Sequence, residues 1–89
     1  GMEASSSEKK DLKVYPNPAN GSFHVVIPEK NNYSQLKLLN HLGQTVYSSQ
    51  LTGQNNVVGI QIDGGFTPGI YFLKITGTGK PLSAKVIIY

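Results

Sequence analysis

From Leu12 to the last residue, apolar and polar side chains alternate with a period of two, and turn-forming residues break the alternation roughly every eight to twelve positions. That spacing predicts seven short strands. Leu12 to Tyr15 opens the series. In the run from Ser22 to Ile27, Phe23, Val25 and Ile27 fall on one face, because successive side chains of a strand point to opposite sides. The run from Gln35 to Asn40 groups Leu36 with Leu38 and turns Leu39 the other way, beside Lys37. Gln44 to Ser49 leaves two registers open: Val46 inward with Tyr47 outward, or the reverse. Val58, Ile60 and Ile62 alternate between Asn56 and Ile62. Between Ile70 and Thr76, Tyr71, Leu73 and Ile75 oppose Ile70, Phe72 and Lys74, and Tyr71 is expected in the core. Leu82 to Ile88 closes the series. No stretch sustains a helical period, so the 89 residues read as one all-β domain.

The interruptions have their own stereochemistry. Asn40-His41-Leu42-Gly43 fits a four-residue hairpin loop with Gly43 at positive φ. Thr67-Pro68-Gly69-Ile70 fits a type II turn, with Pro68 at its second position and Gly69 at its third. Asp63-Gly64-Gly65 and the stretch from Thr76 to Pro81 supply further breaks. The firmest break comes early, in Tyr15-Pro16-Asn17-Pro18-Ala19-Asn20-Gly21. Neither proline carries an N–H for a strand ladder, and each drives the preceding residue out of the helical region, so pairing is expected to stop there. Asn20-Gly21 then turns the chain at positive φ into the next strand.

Composition narrows the function classes. Eight lysines against five acids give a formal charge of +3, yet arginine is absent. Arginine is the side chain suited to bidentate phosphate and guanine contacts, so a solvated lysine surface is expected and no nucleic-acid partner. The chain has no cysteine, which excludes disulfides and thiolate zinc sites. No run approaches the ~20 apolar residues of a transmembrane helix. Residues 1–11, rich in serine and charge, read as a flexible leader, with Gly1 a cloning remnant, and residues 12–89 as the domain.

Chemistry-bearing side chains are sparse. Glu3, Glu8 and Asp11 lie in the leader; His24 should face outward on its strand and His41 sits in a hairpin tip. Nothing gathers a nucleophile, a base and an orienting acid, so neither a catalytic site nor a cofactor is expected. Asp63 and its glycines lack the Asp-x-Asp ladder and the Glu of a calcium loop, so no metal site is expected. Tyr15, Tyr33, Tyr47, Tyr71 and Tyr89 are spread over different runs, which favours core and edge packing over a carbohydrate platform.

Three blocks and the last residues, taken in order, resemble the C-terminal sorting domain of the type IX (Por) secretion system. KVYPNPANGSF, residues 13–23, carries Tyr15, Pro16, Asn17, Pro18 and Gly21 of the family's opening motif. LKLLNHLGQTV, residues 36–46, carries Asn40 and Gly43 of its middle block, and FTPGIYFLKI, residues 66–75, carries Pro68, Gly69 and Tyr71. KVIIY, residues 85–89, matches the terminal lysine followed by apolar residues. The resemblance implies a seven-stranded, Ig-like antiparallel β-sandwich, in agreement with the seven predicted strands. It implies a targeting domain that takes an N-terminally attached cargo protein from the periplasm through an outer-membrane translocon to the cell surface or beyond. A surface sortase commonly removes such domains and joins the cargo to a lipopolysaccharide anchor; a cut would be expected ahead of Leu12, where Ser5 to Lys10 is the accessible part. A small stand-alone Ig-like surface or adhesion module is the alternative.

Within that resemblance, Lys85, Val86, Ile87, Ile88 and Tyr89 are the candidates for recognition by the translocon. Three consecutive apolar residues place at least one outward. A strand that ends in open chain is expected to leave backbone groups unpaired, available for β-augmentation, with Lys85 marking the register.

Overall fold

Period-two burial runs through the computed structural model, which describes residues 12–28, 32–52, 56–61 and 66–89. The strands are β1 Lys13–Tyr15, β2 Ser22–Val26, β3 Tyr33–Leu39, β4 Thr45–Gln50, β5 Val57–Gln61, β6 Gly69–Gly77 and β7 Leu82–Ile88. They form two antiparallel sheets, ordered β1-β2-β5 and β4-β3-β6-β7. Phe23, Val25 and Ile60 of the smaller sheet meet Leu36, Leu38, Leu73, Ile75 and Val86 of the larger one in a single buried cluster. Two sheets with apolar inner faces pack in this way to exclude water from both, which makes a β-sandwich. The strand order is Ig-like, with the fourth strand joined to the third and so to the larger sheet; the constant-type arrangement places it in the other one.

The predicted strands all form, with ends displaced by a residue or two. Phe23, Val25 and Ile27 are fully buried, as are Leu36 with Leu38 and Leu73 with Ile75. Tyr71 is buried as expected. In β4 it is Tyr47 that packs against the core, while Val46 faces out. β3 begins earlier than predicted, at Tyr33, whose hydroxyl donates to the Lys80 carbonyl at 2.8 Å. Ile62, Asp63-Gly64-Gly65 and the leader, residues 1–11, lie outside the described residues.

Two expectations need correction, at Gly69 and Tyr89. The four-residue turn Asn40–Gly43 between β3 and β4 forms as expected: Gly43 N–H donates to the Asn40 carbonyl at 3.0 Å, and Asn40 N–H to the Gln44 carbonyl at 2.9 Å. Gly43 does take positive φ, at 84°. Gly69 has a φ of 155°, far from the third position of a type II turn at about +80°, because it already belongs to β6 and pairs with Ile88. Tyr15 packs on an edge strand, as expected, while Tyr89 packs into neither core nor edge and stands 66% exposed. Tyr15 stacks on His24, and Tyr89 lies one residue past the end of the β6–β7 ladder.

Candidate functional site

The family-motif positions, scattered over the sequence, converge on one end of the sandwich. Gly69 pairs with Ile88 across β6 and β7, and Ile88 is bridged in turn by Ala19. Leu39, at the end of β3, pairs with Phe72, so the Asn40–Gly43 hairpin loop lies beside the start of β6. Asn40, Pro68, Gly69 and Tyr71 line one open cleft of about 370 Å³ there. The Ala19–Ile88 bridge is parallel, so the incoming chain runs the same way as β7. Leu12 and Lys13, where the chain enters the fold, therefore sit toward the opposite end.

The opening motif is fastened to the terminal strand. Asn17 Nδ2 donates to the Lys85 carbonyl at 2.9 Å, and Asn17 Oδ1 accepts from the Ile87 N–H at 2.9 Å. Ala19, completely buried, continues the pairing: its N–H donates to the Ile87 carbonyl at 2.7 Å, and its carbonyl accepts from the Tyr89 N–H at 3.0 Å. A primary amide carries one donor group and one acceptor on the same short side chain, so Asn17 stands in for a strand residue's backbone. The flanking residues explain why the substitute is needed. Pro16 and Pro18 have no N–H to offer a neighbouring strand. Gly21, at a φ of 92°, then lets the chain turn into β2.

This geometry overturns two expectations. Pairing does not stop at the prolines; it resumes through Asn17 and Ala19. The outer edge of β7 is not open over its last residues either, since Lys85, Ile87 and Tyr89 all have backbone groups bonded to the opening motif. The side chains divide cleanly. Val86 and Ile88 point into the core, while Lys85, Ile87 and Tyr89 face out.

The other motif residues also direct their polar atoms into the fold. Asn40 Oδ1 accepts from the N–H groups of Leu42 and Gln44 at 2.9 and 3.0 Å, and its Nδ2 donates to Gln44 Oε1 at 2.9 Å. An Asn side chain that caps its own loop in this way shapes an Asx turn. Tyr71 donates its hydroxyl to the Thr67 carbonyl at 2.6 Å and stacks on Phe66, with ring centroids 5.8 Å apart. A tyrosine near the start of the sixth strand that bonds to the backbone just upstream is the tyrosine corner of Ig-like sandwiches. Pro68 sits in the segment that this bond pins. Ala19 and Gly77 are the residues that sequence reading passed over. A side chain on Gly77 would collide with the backbone of Asn32 and Tyr33. Only the small size of Ala19, next to a proline, hinted at its buried place.

His24 faces solvent on β2 against Tyr15, and His41 is in the β3–β4 loop, so the two histidines are not brought together. The five acids all fall outside the described residues, and among the described residues no group of His, Cys, Asp and Glu is placed to hold a metal.

Residues 13–89 match the family described as the secretion system C-terminal sorting domain. The chain is similar to an endo-acting ulvan lyase of Formosa agariphila, with 30% identity over 88% of this chain and 14% of that protein. It is similar also to β-agarase A of Zobellia galactanivorans, with 29% identity over 78% of this chain and 12% of that protein. The chain thus spans only a small fraction of the length of these relatives, about what a tail appended to a larger protein would occupy. With the motif blocks gathered at one end of the sandwich and the family matched over nearly the whole chain, this protein belongs to the C-terminal sorting domains that route cargo through the type IX secretion system.

Proposed function

We propose that the translocon of the outer membrane recognises this domain in its folded form, at the end that carries the motifs. The observation that supports the reading is the convergence of the three motif blocks and the last residues there, away from the end where the chain enters. The cargo is attached ahead of residue 12 and so trails from the opposite end, leaving the motif end free to lead. Within the terminal segment, Lys85, Ile87 and Tyr89 supply outward side chains, while Val86 and Ile88 act by holding the strand in the core. The route runs from the periplasm to the cell surface. There a sortase removes the domain by cutting before Leu12, between Ser5 and Lys10, and transfers the cargo to its anchor.

The test is a fluorescent reporter with a signal peptide, fused ahead of this chain, in a host carrying the type IX apparatus. Export of the fusion is expected, while the same reporter without the chain stays in the periplasm. Equal retention of the two contradicts the reading.

A further inference from the structure

The outward face of the larger sheet carries features that folding does not ask for. On β6, Ile70, Phe72 and Lys74 point away from the core. Their cross-strand neighbours place Ile87 beside Ile70, Leu39 and Lys85 beside Phe72, and Lys37 beside Lys74. Ile70 and Phe72 remain 45% and 44% exposed. Lys37 and Lys74 are directly opposed, an arrangement that destabilises a strand pair. None of the residues in these four strands is acidic, so nothing on the strands neutralises the lysines. The open cleft at the motif end borders the same face through Ile70 and Val46. The face thus combines an open cleft of mixed polar and apolar lining, an apolar strip and a lysine cluster in sequence.

Resting on the sorting reading, we propose that this face docks an acidic protein surface of the export apparatus. Carboxylates of the partner sit among Lys37, Lys74 and Lys85, and an apolar side chain lies over Phe72 and Ile70 toward the cleft. Charge complementarity selects this occupant. A second copy of the chain would bring lysines against lysines. An anionic bilayer favours an apolar centre rimmed by cations, whereas Lys37 and Lys74 stand on the two central strands and the apolar strip lies to one side. The three-stranded sheet offers no equivalent, since Lys13 is the one cation on its strands.

The reporter fusion tests this with charge-matched variants. Lys37→Glu with Lys74→Glu is expected to lower exported reporter about tenfold, since it sets like charges against each other across the interface. Phe72→Ser is expected to lower it about fivefold through the lost apolar contact. Lys37→Arg with Lys74→Arg keeps export near the parent level, as does Lys13→Glu with Lys80→Glu, which changes the net charge equally but elsewhere. Melting midpoints of the purified variants should agree within about 3 °C, so that unfolding does not explain the loss. If the parent fusion is not exported, the sorting reading fails and the proposal goes with it. If the parent is exported and the face variants are exported equally well, or no worse than Lys13→Glu with Lys80→Glu, the proposal alone is overturned. Two further results would also overturn it. One is sedimentation with phosphatidylcholine–phosphatidylglycerol vesicles that Lys37→Glu with Lys74→Glu abolishes, which assigns the face to lipid. The other is self-association that Phe72→Ser abolishes, which assigns it to a second copy.

Discussion

The two ends of the sandwich are closed by different means. Where the chain enters, closure depends on close backbone approach: Gly77 lets the end of β6 pass against the backbone of Asn32 and Tyr33, the Thr78 N–H donates to the Asn32 carbonyl at 2.9 Å, and the Tyr33 hydroxyl donates to the Lys80 carbonyl. At the motif end, closure depends on side chains that substitute for backbone. Asn17 completes the edge of β7, Asn40 caps its own hairpin, and Tyr71 pins the segment before β6. The difference separates two meanings of a motif residue. Asn17, Asn40 and Tyr71 have their polar atoms committed to the fold, so in the proposed reading their part in sorting is to present a shape. The same reading leaves contacts to their outward neighbours, Lys85, Ile87, Tyr89 and the strip along β6.

The contrast makes graded predictions. The largest effect is expected from deleting residues 85–89. This removes the core side chains Val86 and Ile88, each worth about 1.5–3 kcal/mol of burial, from a domain whose net stability is on the order of 3–5 kcal/mol. The truncated chain should lose its cooperative thermal transition by circular dichroism. A truncated chain that still melts cooperatively would mean that the terminal strand is an appendage. At the other end, Gly77→Ala should destabilise by about 1–3 kcal/mol in denaturant titrations, since the neighbouring backbone must shift to admit a methyl group. Asn17→Ala should cost about 1–2 kcal/mol, for two partly exposed hydrogen bonds. Asn17→Asp should do no better, because a carboxylate accepts from Ile87 but faces the Lys85 carbonyl with no proton to give.

Tyr71→Phe and Tyr33→Phe give the smallest effects, about 1 kcal/mol each, for loss of the hydroxyl that bonds to the Thr67 or the Lys80 carbonyl. With stability matched, export of a reporter should fall further for Tyr71→Phe, which loosens the motif end, than for Tyr33→Phe. Equal export from the two would show that the ends are functionally equivalent.

Much of the fold was legible because its cause is local. Alternation placed Phe23, Val25, Leu36, Leu38, Leu73 and Ile75 in the core, and Gly43 revealed its turn by the conformation that only glycine takes at no cost. Tyr47 against Val46 was undecidable, since both are apolar and adjacent, and the answer came from which of them met the opposite sheet. The site was legible as a set of letters and not as a geometry. The bonds from Asn17 to Lys85 and Ile87 span about 70 residues, as the separations of 68 and 70 positions record. No local rule reports a contact at that distance. For the same reason the edge of β7 read as open when its partner was the corner at the other end of the sequence. Gly77 was invisible because glycine in a strand signals close approach without naming what approaches.

The opening motif and the terminal strand form one fastened unit. Native-state amide exchange at Ile87, compared between the parent chain and Asn17→Ala, tests this directly. The Ile87 N–H should be protected in the parent and exchange about tenfold or more faster in the variant, beyond any change at the Leu73 amide in the centre of β6. An Ile87 amide that is already unprotected in the parent, or that does not respond to loss of the Asn17 side chain, would contradict the account.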